Sequence, residues 1–311
     1  MDFKKVTVAG GGVLGSQIAL QSAYCGFDVT IWLRSEGSIE RAVPKLDRFA
    51  GIYAATLEAT KENPAARARG LSDEGATAEE LDALKEKVAQ ARASIKLTSD
   101  YDEAFGDADL VIEAVAEDPA QKIAFYEEMA KHLPEKTVVV TNSSTLLPSQ
   151  FAESTGRPEK YLALHFANDI YRNNTGEVMG HSGTDQQYYD QIVEFAEAIR
   201  MVPLCLRKEQ PGYILNSMLV PFLSAAEALY ANDVADPETI DKTWMLATGA
   251  PAGPFRILDV VGLVTAYNIV IMNPLASDPE TIQGKIAAKL KEKIDEGKTG
   301  INAGEGFYKY V

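Results

Sequence analysis

Six residues near the N-terminus constrain this chain most: Gly10-Gly11-Gly12-Val13-Leu14-Gly15. They follow residues 4–9, a short run carrying the β-branched Val6 and Val8, and precede residues 16–24, which are mostly helix formers. Residues 28–33 read as a second apolar strand. Strand, glycine turn, helix and strand make a βαβ unit, which calls for a parallel sheet covered by helices. In that setting the pattern G-x-G-x-x-G acquires a mechanism. The first glycine permits a tight turn, the second lets a pyrophosphate approach the backbone, and the third lets helix and strand pack closely. The helix N-terminus adds a preference for negative charge. The alternative is a glycine turn with no ligand.

With 311 residues the chain has room for two domains of roughly 100–200 residues each. Residues 38–92 read as charged, Ala-rich helices broken at Pro64 and Gly70, which predicts a helical hairpin inserted near residues 38–98. Its basic residues are matched by acidic ones, so it is either a solvated hairpin or a phosphate-binding surface. The α/β alternation then resumes, with strands expected at 109–115, 137–141, 161–166 and 177–179 and helices at 119–132 and 186–200. Beyond residue 206 the strand pattern disappears, and 212–294 reads as helices separated by Asp236-Pro237, Gly253-Pro254 and Asn273-Pro274. The expected fold is α/β, a Rossmann-type doubly wound, mostly parallel sheet over residues 1–207, followed by an all-helical domain over 208–311 for substrate and dimerisation.

Charge and cysteine usage narrow the partners. Lys plus Arg number 30 against 45 Asp plus Glu, a formal net charge of −15. Such a surface repels nucleic-acid phosphates and anionic lipid, so a small-molecule partner is expected, with no nucleic acid and no membrane. The two cysteines, Cys25 and Cys205, lie far apart and are expected as reduced thiols in a cytoplasmic protein. The N-terminus lacks the long apolar core of a signal peptide. The most apolar stretch, 214–230, is interrupted by Asn216, Pro221 and Glu227 and reads as a buried helix. No metal site is assigned.

An acidic residue normally closes the second strand of such a unit, accepting hydrogen bonds from the adenosine ribose of NAD. Here Val29-Thr30-Ile31-Trp32-Leu33 runs into Arg34 and Ser35, with no carboxylate in that place. A guanidinium forks onto a 2′-phosphate and a serine hydroxyl adds a donor. This favours NADP(H), with NAD(H) as the alternative if Arg34 is merely exposed.

Of the three histidines, His132 falls near a helix C-terminus and His181 in an exposed-looking Gly-His-Ser-Gly loop. His165 lies near the end of the apolar strand Tyr161-Leu-Ala-Leu-His-Phe. Four patches accompany it in order: the glycine loop; Asp109-Leu-Val-Ile-Glu-Ala-Val-Ala-Glu117; Thr141-Asn-Ser-Ser-Thr145; and His165-Phe-Ala-Asn168 through Glu177 to Pro211-Gly-Tyr-Ile-Leu-Asn216. Together with the ending Gly304-Glu-Gly-Phe-Tyr308, this ordered set resembles the L-3-hydroxyacyl-CoA dehydrogenase family, and Thr-Asn-Ser-Ser-Thr-Leu-Leu-Pro-Ser is similar to its diketoreductase-like branch.

The resemblance implies that His165 is the general acid/base and that Glu177 orients its ring. It implies that Ser144 and Asn216 hydrogen-bond the reacting oxygen or the thioester region. Gly10, Gly12, Val13, Leu14 and Gly15 then hold cofactor with Ala114, Glu117, Lys122 and Asn142, and the chain pairs as a homodimer. The implied reaction is hydride transfer between a nicotinamide cofactor and a 3-hydroxyacyl/3-oxoacyl-CoA pair. Free 3-oxo acids or 3,5-dioxo esters are the alternative substrates, and a non-catalytic structural protein is the remaining one. The chemistry is coherent, because hydride leaves a carbinol carbon only as the hydroxyl proton departs, and imidazole titrates near neutrality. One departure stands beside the base: the family has His-Phe-Phe-Asn-Pro, whereas here His165-Phe-Ala-Asn168 is followed by Asp169 and Ile170, a loop expected to shape the acyl end of the pocket.

Overall fold

The computed structural model describes residues 1–310 and divides into two compact units, Met1–Ile214 and Leu215–Val311. The first unit opens as the glycine pattern requires, with Lys5–Ala9 (β1), Val13–Tyr24 (α1) and Asp28–Trp32 (β2). Glu36–Glu62 (α2) and Ala78–Ser94 (α3) follow as the hairpin. Lys61 and Lys85 pair with Glu58 and Asp82, and Arg92 pairs with Asp47. These three cations are partnered by acids.

The span 38–98 is not all helical. It ends in Lys96–Thr98 (β3), which adds an edge strand beside β2. Three residues with a half-exposed pattern carry too little periodicity to be read as a strand. Tyr101–Phe105 (α4), Leu110–Glu113 (β4), Pro119–Met129 (α5), Val138–Thr141 (β5), Tyr161–Phe166 (β6), Thr175–Met179 (β7), Gln186–Ala198 (α6) and Val202–Cys205 (β8) complete the unit.

The eight strands form one sheet in the order β3-β2-β1-β4-β5-β6-β7-β8. Pairing is parallel from β3 through β6, β7 runs antiparallel to β6, and β8 is parallel to β7. Pro203 sits in β8, an edge strand, where its missing N–H leaves no gap in a ladder. Strand alternation sorts side chains onto two faces. Leu162, Leu164 and Phe166 of β6 join the core with α1, α2 and α6, while Ala163 faces the other way against Met179 and Tyr213. His165, two residues on from Ala163, therefore points away from α1.

The first unit runs past Arg207 to Ile214 because residues 206–214 are bonded to it. Leu206 donates to the Val178 carbonyl, Tyr213 to the Ser143 carbonyl and Ile214 to Glu177.

The second unit is helical: Leu215–Ala231 (α7), Pro237–Thr248 (α8), Pro254–Val261 (α9), Leu263–Ile271 (α10) and Ile282–Asp295 (α11). Leu223, Phe255, Leu258, Leu263 and Leu290 form its core. The C-terminal Gly-Phe-Tyr is clasped by Asp259, whose carboxylate accepts from the Phe307 and Tyr308 N–H groups and the Tyr310 hydroxyl. A methyl added at Gly306 would lie 2.0 Å from that carboxylate, so the ending needs glycine there.

Helix α7 departs from the expectation of a buried helix, for Met218 is 62% and Leu229 43% exposed. Only Leu223, Ala226, Glu227 and Ala231 are buried, since the helix covers its core along one stripe. No single helix among the described residues is long and apolar enough to cross a membrane.

Glu227 is the unusual member of that stripe, with one buried carboxylate oxygen lacking a hydrogen-bond partner. Burial pushes its carboxyl up to about 7 from the ordinary 4.5. Between those values the folded protein holds a proton that the unfolded chain has released, so stability falls as pH rises through the window. The loss amounts to roughly 3 kcal/mol above it. Glu227→Gln is expected to flatten this slope and to melt higher than wild type above pH 7. Thermal melts on both sides of the window check it; parallel curves for the two proteins would contradict the buried-carboxyl account.

Candidate active site

The glycine loop closes as its sequence demands. Gly10 has φ +122°, and a methyl there would lie 2.4 Å from the Ala114 carbonyl oxygen; at Gly15 it would lie 2.2 Å from the Gly10 carbonyl oxygen. At Gly12, the N-cap of α1, nothing lies within 4 Å, which leaves open space at a helix N-terminus. Such a cradle fits the pyrophosphate of a dinucleotide. Val13 and Leu14 follow on the first turn, Val13 being 57% exposed.

At the end of β2, Leu33 is buried while Arg34 and Ser35 are exposed. The Ser35 hydroxyl lies 3.0 Å from that of Ser38, to which Arg41 donates at 2.9 Å. Lys45 reaches from α2 to the Gly11 carbonyl at 3.2 Å. Glu36, the nearest carboxylate in sequence, instead accepts from Ser99 on the β3 side. The strand end is thus cationic and hydroxyl-rich.

Beneath the C-terminal ends of β4 and β5 lies a buried polar hub centred on Glu113, which sequence reasoning did not single out. Glu113 is 0% and Lys122 1% exposed, with their charges 2.7 Å apart. Glu113 also accepts from the Val115 N–H and the hydroxyls of Tyr126 and Thr141. A carboxylate ending the otherwise apolar run Leu-Val-Ile-Glu was the available signal. Lys122 reaches Glu117 as well, at 3.3 Å. Burial pushes the Glu117 carboxyl up, but the Ser143 hydroxyl and the Lys122 charge outweigh it, so the group sits below the usual carboxylate range. Lys122 is therefore engaged by two carboxylates inside the protein, whereas Glu117 stands at the rim. Ala114 joins β4 to this rim, its N–H donating to the Ala9 carbonyl.

His165 is brought to its partner by strand register. It pairs directly with Glu177 across the antiparallel β6–β7 ladder, and a slip of one residue would send the two to opposite faces. Both are buried, at 5% and 3% exposure. The imidazole Nδ1–H donates to Glu177 Oε2 at 2.9 Å, which leaves Nε2 to accept from the Ser144 hydroxyl at 3.2 Å. The other Glu177 oxygen accepts from the Ile214 N–H at 2.9 Å. Tyr213 stacks on the imidazole, a neighbour that sequence reasoning passed over within its motif. Asn142 is buried and accepts the Phe166 N–H at 3.0 Å, which pins the strand just past the base.

The loop after His165 is firmly held. Asp169 has φ +55°, Ile170 donates to Gln17 of α1, and Gly70 of the insertion donates to the Tyr171 carbonyl. Asn216 is the second residue of α7, in the second unit.

The other histidines are structural. His132 binds Asp102 and stacks on Tyr101; its hydrogen bond to Asp102 raises its pKa. His181 is not the exposed residue expected: its Nε2 faces the Pro158 carbonyl and its Nδ1 accepts the Gly183 N–H, so the ring braces its loop. Cys25 and Cys205 are free thiols, and no metal-binding cluster exists among the described residues.

A dinucleotide cradle on a mostly parallel sheet, with a buried His–carboxylate pair across β6 and β7 of the same sheet, defines a nicotinamide-dependent oxidoreductase. Residues 5–210 match the NAD-binding domain of 3-hydroxyacyl-CoA dehydrogenase, and residues 212–310 match its C-terminal domain. The chain belongs to the 3-hydroxyacyl-CoA dehydrogenase family. The human mitochondrial hydroxyacyl-coenzyme A dehydrogenase is 31% identical, covering 99% of this chain and 91% of that protein. The 3-hydroxybutyryl-CoA dehydrogenase of Clostridioides difficile is 29% identical over 98% of this chain and 99% of its own. A solved diketoreductase structure, described as acting on dicarbonyl compounds, is 46% identical with a TM-score of 0.85, covering 100% of both chains.

Proposed function

We propose that this protein transfers a hydride between a nicotinamide dinucleotide and a 3-hydroxy/3-oxo pair, with His165 as the general acid/base. The observation that carries the reading is the bonded series Glu177–His165–Ser144 across β6 and β7. Gly10, Gly12, Gly15 and Glu117 would hold the cofactor, which when bound supplies or accepts the hydride.

In the oxidative direction, Nε2 of His165 takes the carbinol proton while Glu177 fixes the tautomer and balances the imidazolium charge. In the reductive direction the same nitrogen returns the proton to the forming alkoxide. With substrate bound, Nε2 meets the reacting oxygen and the Ser144 hydroxyl turns from Nε2 to donate to that oxygen, while Asn216 is proposed to add an amide donor. In comparable holes one such donor is worth about 2.7–4 kcal/mol.

Two substrate classes fit this chemistry, a CoA thioester and a non-thioester dicarbonyl. The 46% identity to the diketoreductase against 31% to the human acyl-CoA enzyme favours the second. The discriminating experiment follows reduced-cofactor absorbance with acetoacetyl-CoA against a free 3-oxo acid and a 3,5-dioxo ester. Turnover of the non-thioester substrates alone removes the CoA assignment; turnover of acetoacetyl-CoA alone removes the dicarbonyl one.

For the cofactor the reading is NADP(H), on the Arg34-Ser35 pair that stands where a ribose carboxylate is missing and on Arg41, which donates to Ser38 next to the Ser35 hydroxyl. Arg34→Ala is expected to weaken NADPH use roughly tenfold or more, a bidentate charge-assisted contact being lost, and to leave NADH use nearly unchanged. Equal loss with both cofactors would defeat the phosphate-pairing idea.

A further inference from the structure

The residues that lead into the second unit also grip the dyad. Gly212 and Tyr213 both have positive φ, +77° and +54°. For tyrosine that conformation costs on the order of 1–3 kcal/mol and persists only where the surroundings enforce it. The surroundings here are the site itself. Tyr213 is 1% exposed, and its ring lies 4.4 Å from the His165 ring at an interplanar angle of 12°. Its hydroxyl donates to the Ser143 carbonyl at 2.8 Å, on the peptide that leads to Ser144. The next residue, Ile214, donates to Glu177.

The two imidazole hydrogen bonds fix the ring along one line, from Nδ1 on Glu177 to Nε2 on Ser144. They act in the plane of the ring and only weakly resist a tilt along its face normal, which carries Nε2 off that line. A flat neighbour packed against the face blocks that tilt. We propose that Tyr213 is a positioning residue for the proton transfer, its ring setting the plane of the His165 imidazole so that Nε2 stays aimed at the reacting oxygen. This rests on the reading of His165 as acid/base. Burial, and then the charges of Glu117, Glu177 and Glu113, push the Tyr213 phenol up, so it remains a neutral donor to Ser143. Aromatic stacking itself is worth only about 0.5–1.5 kcal/mol. A displacement of about 1 Å at a reacting centre, however, costs on the order of 10²-fold in rate.

Tyr213→Leu and Tyr213→Phe, measured beside His165→Ala, test this. The leucine variant is expected to lose on the order of 10- to 100-fold in kcat, with the cofactor KM unchanged and a larger solvent deuterium isotope effect on kcat. The phenylalanine variant keeps the stack and is expected to regain most of the turnover. Should Tyr213→Leu fail to fold by thermal melting, Tyr213→Met takes its place with the same expectations. Wild-type turnover in the folded leucine or methionine variant overturns the positioning role, as does an equal loss in the phenylalanine variant. Normal turnover in His165→Ala instead overturns the acid/base reading, which separates the two failures.

Discussion

Lys122→Met is expected to destabilise the first unit by about 3–5 kcal/mol, the usual consequence of removing one partner from a buried ion pair. Lys122 is 1% and Glu113 0% exposed, and the lysine supplies the one cation within bonding reach of that carboxylate among the described residues. Without it, Glu113 keeps its bonds from Val115, Tyr126 and Thr141, but its charge is uncompensated. Glu113 also ends β4, and its carbonyl accepts the Asn142 N–H at 2.8 Å, so the strain reaches the loop that carries Ser144. Denaturant titration reads the loss. The double variant Lys122→Met with Glu113→Gln is expected to regain a large part of it, because no buried charge then remains. A single variant as stable as wild type would show that the pair is not held as ions in the interior.

Much of this was readable in advance, for identifiable reasons. The unit from β1 through the glycine loop to β2 is encoded locally: valines at alternate positions, glycines at fixed offsets and a helix-forming run. The missing carboxylate after β2 was equally plain. The meeting of His165 with Glu177 was not, because it depends on the β6–β7 register, which no short stretch of sequence states. It came from resemblance alone.

Tyr213 and Glu113 went unnoticed for the same reason. The value of Tyr213 lies in a stack on a residue far away in sequence, and that of Glu113 in four partners scattered over the loop after β4, α5 and β5. Strand β3 was lost to its brevity, and His181 looked exposed because its loop sequence says nothing of the Pro158 carbonyl opposite.

The second large effect belongs to His165. Replacing it with alanine removes the group that moves the proton, a contribution of about 10²–10⁴ in rate. It leaves the glycine cradle untouched, since His165 points to the face away from α1. The expected signature is therefore a loss confined to kcat, with cofactor affinity kept. Glu177→Gln should fall between the two proteins, because the amide still offers an oxygen to Nδ1–H but no longer balances the imidazolium charge.

The most direct measurement is a single-turnover absorbance trace of reduced cofactor, taken with enzyme in excess over a 3-oxo substrate, for wild type and His165→Ala. An acid/base role for His165 predicts rapid oxidation by the wild type and a decay slower by about 10²–10⁴ in the variant at equal cofactor occupancy. Superimposable traces from the two proteins, or a wild type that oxidises neither NADPH nor NADH with any 3-oxo substrate, would contradict it.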